Sequence, residues 1–227
     1  VGVLYFAFHH GALDAAQCDA LRAAFVAATA RPVRVLLLAG GPDFWCNGIH
    51  LNAIEAAAEP ADESWRNINA MNDLVRAIVG AERQLTVAAL QGNGGAGGVF
   101  LARAADRVWA REGVVLNPHY KGMGNLYGSE YWTYLLPRRV TPAQAAAVTQ
   151  ARLPVGVVEA KAMGLIDDQL GGDPATFLAA AIARAQALAD APGFPAELAA
   201  RNARRAADDA VKPLAAYRAG ELERMKL

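Results

Sequence analysis

The sequence predicts an α/β fold, with strands and helices alternating over residues 1–140 and a helical region over residues 141–227, one domain overall. Three observations carry this reading. Apolar runs of strand length at Val1–Phe8, Val33–Ala39 and Leu85–Leu90 are separated by stretches whose apolar residues recur at helical spacing. From about Leu126 onward the sequence reads as helices only. A chain of 227 residues is long enough for one full-sized core and short for two.

The elements follow in order. "VGVLYFAF" reads as a strand, and Ala15–Thr29 as a helix with Cys18, Leu21, Phe25 and Val26 on one face. "RPVRVLLLAGG" places a buried strand at Val33–Ala39, stopped by Gly-Gly-Pro. Glu63–Val79 carries Trp65, Ile68, Met71, Leu74, Val75 and Ile78 at helical spacing. The strand "LTVAAL" enters the glycine-rich "QGNGGAGG", followed by a short helix at Gly98–Ala105 and two short strands, "DRVWA" and "GVVL". Helices are then expected at Tyr127–Leu136, Pro142–Gln150, Val155–Met163 and Pro174–Ala191, with a polar Arg- and Ala-rich helix closing the chain. Any boundary falls in Thr141–Gly172, where sheet-forming sequence has ended.

Composition narrows the partners. Lys plus Arg and Asp plus Glu each number 22, so no global charge favours nucleic acid or an anionic membrane surface. No apolar run is long enough to span a bilayer. Cys18 and Cys46 form no disulfide framework, which points to a reducing, cytoplasmic setting. The start at Val1, already in strand-like sequence, reads as a piece of a longer polypeptide.

"LQGNGGAGGVF" raises a chemical question. Gly92, Gly94 and Gly97 satisfy G-x-G-x-x-G after a strand, with Glu112 at about the distance of a ribose-binding acid. Too few residues lie between Gly98 and Asp106 for a helix that crosses a sheet, and the loop sits mid-chain, so a dinucleotide site is disfavoured. One alternative is structural: glycines permit close helix–strand packing. The other is that the helix N-terminus holds a partial negative charge on its free amides. A second loop, "GGPDFWCNGIHL", has Gly48 turning the chain so that the Ile49 amide can join that of Gly97. Two such donors make an oxyanion hole for a carbonyl or thioester.

With both loops in this order, the sequence resembles the enoyl-CoA hydratase/isomerase, or crotonase, family over nearly its whole length. The resemblance implies a spiral of ββα turns followed by a C-terminal helical region, and coenzyme A, as an acyl-CoA thioester, as the bound group. It implies Ile49 and Gly97 as the oxyanion donors, and Ala12, Leu13, Asn47, Gly48, His50 and Gly98 along the coenzyme A path. Hydratases of the family use two glutamates. Phe100 matches the first and the second falls at or near His119, so ordinary hydration is not expected. "EGVVLNPHYKGMGNLYGSEYWTYLLPRR", "GPDFWCNGIHLNAIEAA" and "ESWRNINAMNDLVR" are more closely similar to the C-terminal domain of the HoxX family of hydrogenase-maturation proteins. That likeness implies formyl-CoA as substrate, carbon monoxide for a [NiFe]-hydrogenase as product, an N-terminal formyl-transfer domain in the same polypeptide, and the hydrogenase-maturation machinery as partner. Cys46 and Gly95 stand where other small residues are expected.

The candidate catalytic groups lie close together in sequence. His119 has the intrinsic pKa of a base, or it caps a backbone group. Glu130, among the aromatics of "YGSEYW", is either a proton carrier raised by desolvation or the first-turn acid of a helix capped near Ser129. Tyr127 and Tyr131 donate to sulfur or wall the pocket, and Phe100 keeps it dry. Cys46 reads as a buried filler, since no base pairs with it in sequence. Asn47 joins the hole or holds its loop. His9, His10, His50 and His119 show no metal-ligand spacing. Lys121, Arg138 and Arg139 are candidates for coenzyme A phosphates, and "RNARRAADD" is expected to form i,i+4 pairs such as Arg204 with Asp208. The rival functions are a hydratase or isomerase with relocated acids, and a non-catalytic module that binds coenzyme A or docks a partner.

Overall fold

A computed structural model describes residues 1–120 and 126–225; Lys121 lies outside the described residues. The chain opens with β1 (Gly2–Tyr5) and β2 (Ala12–Leu13), and α1 (Ala15–Thr29) follows. A capping box starts α1: the Asp14 carboxylate accepts from the Gln17 amide at 2.8 Å, and the Gln17 side chain accepts from the Asp14 amide at 2.9 Å. Cys18, Leu21 and Phe25 form its buried face, whereas Val26, expected with them, is exposed.

The next turn comprises β3 (Val35–Ala39), β4 (Phe44–Cys46), β5 (Gly48–Ile49), α2 (Leu51–Glu55) and α3 (Pro60–Val79). The apolar face expected of α3 is buried at Ile68, Met71, Leu74, Val75 and Ile78, with Trp65 partly exposed at its outer end. Then come β6 (Leu85–Leu90), β7 (Asn93–Gly95), α4 (Gly97–Arg103), β8 (Arg107–Arg111) and β9 (Val115–Asn117). Each turn leaves one strand in a parallel five-stranded sheet of order β1-β3-β6-β8-β11 and a short one beside it. β4, β7 and β9 run parallel in a second sheet, and β2 pairs with β5. This is the ββα spiral.

Two expectations are corrected here. β6 and β8 are parallel neighbours, because the connection 91–106 counts β7 as well as α4 and so exceeds the dozen residues a crossover needs. Strands also continue beyond residue 140. After α5 (Trp132–Leu135), a 3₁₀ turn at Leu136–Arg138 and α6 (Pro142–Gln150), β10 (Val155–Gly156) pairs antiparallel with β9. α7 (Val157–Ala162) then leads to β11 (Asp168–Leu170), which pairs with β8 at the sheet edge. Segments so short have no periodicity of their own; the existing edge recruits them. α8 (Pro174–Asp190), α9 (Phe194–Val211) and α10 (Leu214–Met225) complete the described chain.

Both faces of the main sheet are covered, which is why β3 and β6 are continuous apolar runs. Phe25, Met71, Leu74 and Ile78 from α1 and α3 pack on Leu36, Leu38 and Leu90. On the other face, Phe177, Ala181, Ala185 and Ala189 form one four-residue stripe of α8 against Leu37, Val87 and Trp109. No helix among the described residues is long and apolar enough to cross a membrane.

α4 is anchored by close backbone contact. A Cβ on Gly98 would stand 2.0 Å from the Cys46 carbonyl oxygen. The Gly98 carbonyl in turn accepts the Trp45 Nε1–H at 2.9 Å. Gly98→Ala is expected to lower stability by about 3 kcal/mol, because backbone yields less readily than a side-chain end. The midpoint of urea unfolding checks this; an unchanged midpoint would mean that the start of α4 is free to shift.

Candidate active site

The loops after β4 and β6 meet at the start of α4. Gly48 adopts φ +84°, and a Cβ built on it would lie 3.4 Å from the Gly97 nitrogen. The two loops meet here, and Ile49 and Gly97 line the same cavity. Gly97 is the first residue of α4, where an amide has no partner within its own helix. Its orientation is set by Ala96, held at φ 44° and ψ −127°, a conformation costly for a residue with a side chain. The Ala96 amide donates to the Asn117 carbonyl at 2.7 Å and pins that conformation to β9.

Neighbouring bonds stitch the other loops to this point. Asn47 donates from Nδ2 to the His10 carbonyl at 2.8 Å, and its amide donates to the Gly11 carbonyl at 2.7 Å. Ala12 and Leu13 pair with Gly48 and Ile49. Leu13 is fully buried, so it contributes packing, and its carbonyl accepts from Asn67. His50 caps α2 through Nδ1, which accepts from the Ala53 amide at 3.1 Å. Its ring stands edge-on to His10 at 5.0 Å, a proximity the sequence separation hides. Among the described residues, no three His, Cys, Asp or Glu side chains group as a metal site.

Glu130 completes the arrangement. A Cβ on Gly97 would fall 2.3 Å from Glu130 Oε1, so the carboxylate lies directly against the start of α4. Glu130 is buried, and burial raises its pKa from 4.5 to about 7. The Tyr120 hydroxyl donates to Oε2 at 2.6 Å and the Ser129 amide donates to the same oxygen at 3.2 Å; both oppose that rise. Phe100 stacks on the Tyr120 ring, 5.8 Å between centroids and 14° apart, and so braces the tyrosine. Ile49, Ile68, Leu126 and Met225 wall the cavity into which Glu130, Tyr120, Gly97 and Asn47 face. Its volume is about 40 Å³, room for roughly three water-sized groups at ~10–15 Å³ each.

The segment carrying Glu130 is not the expected Tyr127–Leu136 helix. Gly128 has φ +86°, and Glu130 and Tyr131 are both left-handed at φ 59°. The helix begins only at Trp132, so Glu130 precedes it and Tyr131 occupies the cap position. Two buried side chains from distant helices hold this corner. Asn72 of α3 accepts from the Glu130 amide at 2.9 Å through Oδ1 and donates from Nδ2 to the Ser129 hydroxyl at 2.8 Å. Glu221 of α10 accepts from the Tyr131 and Thr133 amides, each at 2.9 Å, and so takes the role of helix-start acid expected of Glu130.

The other predicted residues lie apart from the cavity. His119 is buried with Nε2 bonded to the Arg152 carbonyl at 2.9 Å. Period-2 alternation at the exit of β9 gives the physical reason: if His119 turns to the 152 segment, Tyr120 turns to Glu130. Tyr120 is not among the residues the sequence singles out, and its bond to Glu130 is specified only by the fold. Tyr127 accepts from Arg224 at 2.8 Å, and Tyr131 is buried beside the corner. Gly98 serves close packing on Cys46. The Cys46 thiol accepts from the Gly48 amide at 3.3 Å, and burial pushes its pKa up to about 12, which suits a filler. Arg138 and Arg139 sit at the far end of α4, paired with Asp208 and Asp167.

Because the folded pKa of Glu130 lies above its unfolded value, the protein binds an extra proton between about 4.5 and 7. The stability this gives is complete below 4.5 and lost as pH rises through 7. Glu130→Gln is therefore expected to stabilise the fold by about 3 kcal/mol at pH 8, with the gain vanishing near pH 4.5. Unfolding at a series of pH values checks this; a gain independent of pH would mean that Glu130 titrates normally.

Comparison with known proteins places the fold in a family. The enoyl-CoA hydratase/isomerase family pattern matches residues 4–225. The hydrogenase maturation factor HoxX of Bradyrhizobium diazoefficiens is 57% identical over 227 residues, covering 100% of this chain and 40% of that protein. The crystal structure of HypX from Aquifex aeolicus in complex with tetrahydrofolic acid superposes with a TM-score of 0.95 at 44% identity, over 99% of this chain and 40% of that one. This chain thus spans under half the length of both relatives. An enoyl-CoA hydratase from Bacillus halodurans shares the fold alone, with a TM-score of 0.83 at 19% identity over 98% of this chain and 90% of its own. The chain belongs to the enoyl-CoA hydratase/isomerase, or crotonase, family.

Proposed function

We propose that this chain binds formyl-CoA and splits it into carbon monoxide and free coenzyme A. The observation that carries the reading is a single buried carboxylate, Glu130, with its pKa raised to about 7, pressed against the start of α4 in a cavity of about 40 Å³. Such a cavity suits a formyl group and is too small for a long acyl chain. The apolar walls keep water from the thioester, which favours release of gas over hydrolysis to formate. Hydration of an enoyl-CoA asks for a second acid, and Phe100 offers none.

In this reading the Ile49 and Gly97 amides hold the thioester oxygen and withdraw charge from the carbonyl carbon. Glu130 removes the formyl proton. The electron pair of the broken C–H bond stays on carbon as the lone pair of carbon monoxide. As the C–S bond breaks and its pair leaves on sulfur, an oxygen lone pair closes the third carbon–oxygen bond. Tyr120, bonded to Glu130 at 2.6 Å, protonates the thiolate and is reprotonated by Glu130. Atoms and charge balance with no oxidant or reductant. His119, Tyr127 and Tyr131 position backbone and walls. The similarity to longer hydrogenase maturation proteins, one solved with tetrahydrofolic acid, supports a folate-dependent formyl-transfer domain as the source of the formyl group and [NiFe]-hydrogenase maturation as the setting.

The test is to add formyl-CoA to the protein and follow carboxyhaemoglobin formation from reduced haemoglobin. Gas release is expected to increase with pH through about 7, as Glu130 becomes able to accept a proton. Glu130→Gln is expected to lower it at least ~100-fold and Tyr120→Phe about tenfold or more. Intact formyl-CoA, or formate in place of gas, would overturn the reading.

A further inference from the structure

A second concavity of about 620 Å³ opens at the C-terminal end of α4, between that helix, the Leu136–Arg138 turn and α9. Arg103 ends α4 and Gly97 begins it, so some 9 Å of helix, at ~1.5 Å per residue, separates the groove from the thioester cavity. Seven arginines and three carboxylates line it. The carboxylates are engaged: Asp106 by Arg201 at 3.3 Å and Arg205 at 2.9 Å, Asp208 by Arg138 at 2.7 Å, and Glu197 by Arg107. Because Arg138 takes Asp208, the expected Arg204–Asp208 pair does not form, and exposed Arg204 is left without an ion-pair partner.

Positive charge is thus in excess, and part of it is buried. The Arg103 side chain is 2% exposed, and only its Nη1 is engaged, with Asp167 at 2.9 Å and the Leu165 carbonyl at 3.5 Å. Its Nε and Nη2 have no partner. The Arg201 side chain is 4% exposed; Nη1 and Nη2 donate to the Ala81 and Gln84 carbonyls, and Nε has no partner. Burial pulls the pKa of both guanidinium groups down to about 10. The unpartnered nitrogens have essentially no exposed surface, so the two buried cations act on the groove through their positive potential rather than by direct contact.

We propose that this groove is a binding site for phosphate-class oxyanions. Several guanidinium groups converge from α4, the Leu136–Arg138 turn and α9, and planar N–H forks from different directions match a tetrahedral group with several charged oxygens. The volume admits more than one phosphate, so a pyrophosphate or a phosphate ester fits better than a lone ion. The proposal does not rest on the chemistry proposed for the thioester cavity.

Calorimetric titration of the purified chain with pyrophosphate, without metal, tests this. One saturable site is expected, weakening with added salt. Arg204→Glu and Arg204→Gln, at an exposed position that both substitutions leave foldable, are each expected to weaken it at least tenfold. Arg66→Glu on α3 is expected to leave it unchanged. Repeating the titration with saturating coenzyme A separates two sources of the ligand. Loss of pyrophosphate binding assigns the groove to the phosphates of coenzyme A, and simultaneous binding assigns it to another phosphate compound. Absence of saturable binding, or binding indifferent to both Arg204 substitutions, would overturn the proposal.

Discussion

Three backbone segments converge within contact distance at the start of the Gly97–Arg103 helix. Gly98 rests on the Cys46 carbonyl, Gly48 lies against the Gly97 nitrogen, and the Glu130 carboxylate lies where a side chain on Gly97 would project. The approaches at Gly97 and Gly98 exclude a Cβ, whereas Gly48 is favoured by its φ of +84°. The two loops are thereby fixed relative to each other by backbone contact, which tolerates far less displacement than side-chain packing. The pairing of β2 with β5, the Ala96 bond to Asn117 and the Trp45 bond to Gly98 all converge on the same few residues. The spiral of strands positions the loops, and the glycines let them touch.

Against that fixed point the polypeptide sets a carboxylate under strain. Glu130 and Tyr131 both adopt a left-handed conformation that costs of order 1–3 kcal/mol per residue, and the carboxylate is buried besides. Asn72 and Glu221 offset part of this by taking the amides of Glu130, Tyr131 and Thr133. The first comes from α3 and the second from α10, so helices remote in sequence meet at one corner. Burial also raises the pKa of Glu221, though its bonds from Ser129, Tyr131 and Thr133 act against the rise. Strain and desolvation are thus localised at one acidic group, at the expense of stability.

The two ends of α4 divide the labour of charge. The start presents amide hydrogens to a small apolar cavity, and the end is crowded by guanidinium groups. Arg107 and Arg139 both donate to the Asp106 carbonyl, just beyond the last turn, where the helix carries partial negative charge. The same short helix therefore meets cations at one end and presents free amide hydrogens to a small cavity at the other. The zero net charge of the sequence conceals this separation entirely.

The sequence by itself determined the main strands and helices of the core and the two glycine loops, and the spiral that joins them came from the family resemblance. Continuous apolar runs at Val35–Ala39 and Leu85–Leu90, the helical period of α1 and α3, and the two glycine loops are local patterns, and local patterns survive without tertiary context. For Glu130 the sequence left two roles open, a desolvated carboxylate or a first-turn helix acid, and the fold buries it ahead of the helix. Tertiary structure alone decided the rest. β10 and β11 exist because an edge was there to pair with, and the left-handed corner because Asn72 and Glu221 reach it. His119 and Tyr120 are adjacent in sequence and face different ways; the partners supplied by residue 152 and by Glu130 chose between them. Periodicity reports which face of an element is buried, whereas the partner met by a single polar side chain depends on segments far along the chain, and only the folded contact specifies it.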